Sequence, residues 1–369
     1  MISILLSIIP IIAVFPLLFA ITTLLERKGL GRIQNRYGPN RVGPYGLLQP
    51  IADGIKMLIK EDIVPRSADW VVHFLAPIAL LVPVLLSFSV LPLGRNMAAI
   101  DLDGGLLFFF AVGAATELAV FMAGWSSRNK YSLLGAMRAI AQMISYEVPL
   151  VLSAIPVVML TGTLSLTTIV NQQAQFVHGI GSWNLFTPWG LAGAALFLVA
   201  ATAESNRTPF DIPEAESEII AGYLTEYSGF KYALFFLGEY LGLFALSSLG
   251  VTLFLGGWSA PLVFLDWFPS WGWFFLKLFA MIAFFIWTRG TLPRLRSDQL
   301  LRFSWKFMLP MCLINLLVAG LWQYSTTWAV PGAPLLRWVI CLVLIAVPYV
   351  ALARVIEPKV SKRVYRYAA

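Results

Sequence analysis

Seven of the nineteen acidic residues fall between Glu204 and Glu239, in a chain that is 59% hydrophobic and only 12% charged. Carboxylates near a bilayer core cost several kcal/mol each, so acids gathered among apolar segments point to movement of protons or charge. Glu117, Glu147, Glu204 and Glu239 each lie in or at the edge of a different apolar segment. Buried carboxylates within reach of one another can exchange protons near neutral pH. The competing account is structural: any one of them could cap a helix or pair with a buried cation such as Lys277 or Lys306. The set, taken with the acidic window, favours proton transfer. Within that window Pro209 and Pro213 flank Asp211 and limit helix continuation, so Glu214, Glu216 and Glu218 open a new segment. Acids in a first helical turn complement the helix dipole, which accounts for one or two of these three better than for all.

The elements that must position these acids are membrane helices. A mean hydropathy of +0.79 over 369 residues excludes a soluble globular domain and predicts an all-α polytopic membrane protein. Nine apolar stretches are long enough to cross a hydrocarbon core, at 3–25, 71–93, 104–124, 140–161, 189–204, 231–256, 272–290, 304–324 and 333–356. The first has no basic leader or small-residue cleavage site and runs directly into Glu26-Arg27-Lys28, so it is expected to remain as a helix. Lys and Arg number eight in the loop 26–70, three in 125–139, two in 205–231, four in 289–303 and five from 354 onward, whereas the intervening loops hold only Arg95. The bias places the N-terminus outside and the C-terminus in the cytoplasm. The net charge of +7 is thus a topology signal and does not imply nucleic-acid binding.

Residues 47–60 place Gln49, Asp53, Lys56 and Lys60 on one helical face and Ile51, Ile55, Leu58 and Ile59 on the other. This is an interfacial amphipathic helix, which could either line an opening from the bilayer or fasten the chain to the membrane surface. Gly29-Leu30-Gly31 lacks the preceding strand and third glycine of a nucleotide-binding turn. Cys312 and Cys341 lie in apolar spans and give no ligand set for a metal or cluster; His73 and His178 fall on opposite sides and cannot bracket a haem. No redox centre and no internal repeat is expected, and the whole of 1–369 reads as one membrane domain.

The motifs resemble a known family. They are Leu-Glu-Arg-Lys at 25–28, Gln-Asn-Arg-Tyr-Gly-Pro-Asn-Arg-Val-Gly-Pro at 34–44, Leu-Leu-Gln-Pro-Ile-Ala-Asp-Gly-Ile-Lys at 47–56 and Ala-Gly-Trp-Ser-Ser-Arg-Asn-Lys-Tyr-Ser-Leu-Leu-Gly-Ala-Met-Arg at 123–138. Ser-Tyr-Glu at 145–147, Ala-Glu-Ser-Asn-Arg-Thr-Pro-Phe-Asp-Ile-Pro-Glu-Ala-Glu-Ser-Glu at 203–218 and Thr-Glu-Tyr-Ser at 225–228 follow in order. Over about 20–325 the chain is similar to the H-subunit family of the bacterial proton-pumping NADH:quinone oxidoreductase (respiratory complex I), the counterpart of mitochondrial complex I subunit 1.

The resemblance implies a subunit of the bacterial inner membrane that joins the electron-transfer arm to the antiporter-like membrane arm and supplies the quinone entrance. It implies no cofactor in this chain: quinone is the substrate, while NADH, FMN and iron–sulfur clusters belong to partner subunits. It also resolves the helix at 47–60 in favour of a gate. Carried over by position, Glu26, Arg27, Arg36, Asp53 and Arg289 line the quinone path, and Glu214, Glu216 and Glu218 face it. Glu147, Glu204, Asp211, Glu226 and Glu239 lead protons into the membrane arm. Glu117 joins them, although many relatives keep its span less acidic. Tyr146, Lys130 and Arg138 are expected as supporting partners. The ninth span, with its basic tail, departs from members that end after eight and is expected to alter packing or lipid contact. The alternative within the same resemblance is the membrane anchor of a hydrogenase or formate-hydrogen lyase type complex, which need not bind quinone. A free-standing ion transporter would be expected to show repeats.

Overall fold

A computed structural model describes residues 2–177, 179–211, 221–327 and 333–356, and these form a bundle of helices in chain order. They are α1 (Ile2–Ile33), α2 (Gln49–Ile59), α3 (Trp70–Ser87), α4 (Gly105–Ser126), α5 (Lys130–Thr161), α6 (Leu166–Gln173), α7 (Pro188–Glu204), α8 (Gly229–Phe254), α9 (Ser270–Thr291), α10 (Ser297–Phe303), α11 (Leu309–Tyr324) and α12 (Ala333–Ile356). A π turn over Ser304–Met308 joins α10 to α11. The departure from an all-helical expectation among the described residues is a two-residue antiparallel hairpin, Phe176–Val177 against Ile180–Gly181. Seven helices are long and apolar enough to cross a membrane, and α7 is a shorter apolar helix, so the chain is a polytopic membrane protein.

The sequence signals for these boundaries are chemical. Asp69, Asn129, Ser165 and Thr187 each accept a backbone N–H from the first turn of α3, α5, α6 and α7. Gly162 ends α5 in the left-handed region at φ 69°, where a side chain would be strained. The Asn129 cap corrects the expected loop at 125–139: only 127–129 separate α4 from α5. Ser132, Gly135, Ala136 and Ala139 are buried, so the first turns of α5 are a packed helical face. Gly135 leaves room for the backbone of Gly222, which a methyl group would meet at 2.7 Å. Glu147 consequently sits in the middle of a long helix and not near the start of a short one.

Helix α8 is the centre of the bundle. Its most apolar stretch is 72% buried, against 6% for α12, so the two differ as core and periphery. Phe244, Leu241 and Leu249 on α8 pack among Phe15 of α1, Phe197 of α7 and Phe274 and Phe285 of α9, all fully or almost fully buried. A second cluster, with Ala76, Leu80, Val120, Ala136, Tyr223 and Phe235, joins α3, α4, α5 and the start of α8. Because most of α8 is buried, a polar residue on it needs a partner in protein groups or ordered water. Glu239 and Tyr240 are such residues.

Candidate functional site

The deepest ion-pair cluster surrounds Glu26, in the last two turns of α1 and 2% exposed. Arg207, in the segment after α7, and Arg289, in the last turn of α9, both donate to Glu26 Oε1. Tyr240 Oη of α8 donates to Oε2 at 2.8 Å, and the Arg207 guanidinium lies 4.5 Å from the centre of the Tyr240 ring. One carboxylate thus ties together α1, α8, α9 and the acidic segment. Burial alone would push the Arg207 guanidinium down; the Glu26 carboxylate beside it more than offsets this and holds it above its ordinary value.

Asp211 continues the network. Arg294, in the turn between α9 and α10, donates to Asp211 Oδ2 at 3.0 Å, and Leu295 N donates to Pro209 O at 3.0 Å. Burial lifts the Asp211 carboxyl above its ordinary value against the opposing pull of Arg294 and Arg289. Gln142 of α5 donates to Ala203 O at 2.7 Å and Asn206 Oδ1 at 3.2 Å, closing the C-terminal end of α7.

One residue back on α8, Glu239 faces the other way. Tyr223 Oη donates to Glu239 Oε1 at 2.6 Å, and Glu239, Glu147, Glu204 and Asn206 line one cavity of about 90 Å³, floored by Leu80, Met143, Leu150 and Ala245. That volume holds a few water molecules. Glu117 lies close to Glu147, with Glu204 beside both. Neither Lys277 nor Lys306 pairs with these acids among the described residues: Lys277 Nζ donates to three main-chain carbonyls and Lys306 is exposed.

Glu226 lies further along the acidic segment, where Asn129 Nδ2 donates to its Oε1 at 2.7 Å. Its neighbour Tyr227 stacks on His73 at 4.0 Å between ring centres, and burial pushes the Tyr227 hydroxyl up to about 12 against a bond to Ser126. The segment then closes on the end of α2: Lys231 Nζ meets Asp62 at 2.8 Å, and Ser228 Oγ accepts from Ile63 N at 2.8 Å.

Helix α2 lies against α1 and α8 through its polar side. Arg27 of α1 donates to Asp53, which also accepts from Gln49 at 3.0 Å. Its apolar residues turn outward, Ile51 59%, Leu58 65% and Ile59 80% exposed, as an interfacial helix requires.

The structure therefore brings together Glu26 and Arg289, Arg27 and Asp53, and Glu117, Glu147, Glu204 and Glu239. It does not bring in Arg36, whose Nε donates to Gln34 on the surface, or Lys130, which is exposed over the Tyr131 ring at 5.3 Å. Tyr146 is fully buried but donates to Leu300 O at 3.0 Å and packs on Phe210; it braces α5 against α10 and touches no acid. Arg138 is half-buried on α5. Glu214, Glu216, Glu218 and His178 lie outside the described residues. Sequence reasoning passed over Arg207, Tyr240, Tyr223, Asn206 and Arg294 as site residues. Arg207 and Asn206 stand inside the motif at 203–218, and an arginine among acids next to a membrane segment is a signal for a buried pair; nothing in the sequence marked the tyrosines.

These features define a class: a polytopic helical membrane protein whose central helix joins a buried ion-pair cluster to a cavity of carboxylates. The comparisons with known proteins narrow it. A family profile described as NADH dehydrogenase matches residues 6–320. The NADH-quinone oxidoreductase H subunit of Dehalococcoides mccartyi is 54% identical over 296 residues, covering 80% of each chain. That of Bacillus cytotoxicus is 49% identical over 299 residues, 81% of this chain and 87% of its own. A second such H subunit, from Koribacter versatilis, is 43% identical over 338 residues, 84% and 94%. The chain belongs to the H-subunit family of NADH-quinone oxidoreductase.

Proposed function

We propose that this chain is the quinone-chamber and coupling subunit of a proton-pumping NADH:quinone oxidoreductase. The observation that carries the reading is the pair Glu239 and Tyr240. Consecutive residues on a helix point about 100° apart, so Tyr240 reaches the Glu26 cluster while Glu239 reaches the carboxylate cavity. A change of charge at the first is felt at the second through one rigid helix and through the field of Arg207 and Arg289.

In this reading quinone, the substrate, enters between α1, α8 and the outward apolar face of α2, along Arg27, Asp53 and Glu26, with Arg36 nearer the surface. Glu214, Glu216 and Glu218 face the chamber. The negative charge that develops on quinone reduction draws protons through Asp211 and Glu226 and alters the sharing of protons among Glu239, Glu204, Glu147 and Glu117. Arg207 and Arg289 hold Glu26 ionised and keep the path electropositive. The chain forms one domain of nine spans, counting α1 and α7, with the N-terminus outside and the acidic segment in the cytoplasm of a bacterial inner membrane. Its partners are the other membrane-arm subunits and the peripheral-arm subunits that hold NADH, FMN and iron–sulfur clusters.

Photoaffinity labelling of the intact complex with a quinone analogue tests the chamber. Label within 26–60 or 205–240, displaced by excess native quinone, is expected. Label confined to partner subunits would favour the hydrogenase-type anchor instead.

A further inference from the structure

The family profile stops at residue 320, and α12 lies beyond it. At the junction of α11 and α12, Trp322 is 9% exposed and covered from two sides. The Arg337 guanidinium carbon lies 3.6 Å from the centre of its ring, and Trp338 packs edge-on at 5.7 Å and 87°. Arg337 Nε is buried without a hydrogen-bond partner, and among the described residues the guanidinium makes no ion pair. The helices packed around it supply none. There is no Asp or Glu from residue 299 to residue 356, and the one acid of α7, which packs against α12, is Glu204 at its opposite end.

Arg337 is partly exposed, so its guanidinium is open to an anion from outside the chain. Arg337 lies ~6 Å along the axis from the start of α12, the depth at which a long basic side chain reaches the headgroup layer. Tryptophans are enriched at that level. Below it α12 presents apolar residues to its surroundings, with Leu342 47%, Val343 52% and Val347 61% exposed. Charge above and apolar surface below match the two parts of a phospholipid. A guanidinium also fits a phosphate bidentately while its face rests on an indole.

We propose that Arg337, with Trp322 and Trp338, holds the phosphate of an anionic phospholipid at the end of the bundle opposite Arg207, with an acyl chain along α12, fastening this helix to the core. The proposal rests on α12 spanning the membrane and is independent of the quinone reading.

The test uses the whole complex, purified in mild detergent, with Arg337→Gln and Arg337→Lys. Tightly bound phospholipid is counted by native mass spectrometry. Thermal inactivation is followed after reconstitution into phosphatidylcholine vesicles with and without phosphatidylglycerol. About one anionic phospholipid fewer per complex is expected for the Gln variant, with phosphatidylglycerol protecting the native protein most, the Lys protein less, because an ammonium neither binds phosphate bidentately nor stacks on the indole, and the Gln protein not at all. Unchanged lipid in the Gln variant would overturn the proposal, as would protection by inorganic phosphate alone or loss of a neighbouring subunit with lipid retained. If the Gln variant fails to assemble, the native and Lys complexes still decide: stronger protection of the native than of the Lys complex supports the site, and equal protection, weaker protection of the native complex or protection of neither refutes it.

Discussion

Helix α9 carries two cations, the buried Lys277 and the partly exposed Arg289, ~18 Å apart along the axis, and the two are satisfied by different chemistry. Lys277 Nζ donates to the main-chain carbonyls of Leu255, Gly257 and Ser259 at 2.6, 2.9 and 2.7 Å, and lies 3.9 Å from the centre of the Trp183 ring. None of those partners is a carboxylate, so the joint they make at the end of α8 holds no acid. Arg289 shares Glu26 with Arg207, close to Tyr240, Asp211 and Glu239. Glu26 is held ionised, but burial lifts the nearby Asp211 carboxyl above its ordinary value, so the charge around Arg289 can change there. The same helix thus meets only neutral groups at one end and carboxylates at the other, and the proposed function assigns coupling to the end with the carboxylates.

The largest effect is expected for Glu26→Gln. It leaves two guanidiniums facing each other without a counter-charge, and breaking a buried pair in this way costs roughly 3–5 kcal/mol. The yield of assembled complex and its thermal inactivation temperature should both fall sharply. Lys277→Met removes the donor from three carbonyls, a loss of about 1–3 kcal/mol. Inactivation should come at lower temperature while the proton-to-electron ratio of the intact complex stays normal; a changed ratio would break the distinction between the two ends. Tyr240→Phe deletes one hydrogen bond to a buried carboxylate, about 1 kcal/mol, so quinone-linked turnover should fall more than stability does.

Asp211→Asn sharpens the comparison by pH. Burial holds the Asp211 carboxyl above its ordinary value, so it takes up a proton as pH falls through that raised value, and the ion pair with Arg294 is lost there. The native complex should lose quinone-linked activity at a higher pH than an ordinary aspartate would impose. The Asn variant should lack that step, giving a flatter acid limb in a pH profile of quinone reduction.

Much of this was legible in the residues. Hydropathy located the seven long apolar helices because length and apolar content decide membrane helices directly, and the pattern at 47–60 marked a helix with one polar and one apolar side. The four glutamates on separate helices were recognisable because burying a carboxylate is costly enough to need a reason. Two things were not. The start of α5 was hidden because Ser132, Gly135 and Ala136 are too small and polar to raise hydropathy, although they pack as well as larger residues against Gly124 and Gly222. The division of labour between Glu239 and Tyr240 was hidden because it depends on which neighbours surround α8 on each side, and that is set by packing across residues far apart in the chain. Tyr146 shows the converse: a polar side chain one residue from a key glutamate, whose hydroxyl serves a carbonyl on α10.

The central claim is that Glu239 transmits the state of the Glu26 cluster to the carboxylate cavity. Measuring the proton-to-electron ratio of the Glu239→Gln complex in sealed proteoliposomes, with quinone reduction and proton uptake followed in the same sample, tests it most directly. Quinone reduction that continues with a lowered ratio is the predicted result; a normal ratio at normal turnover would contradict the account.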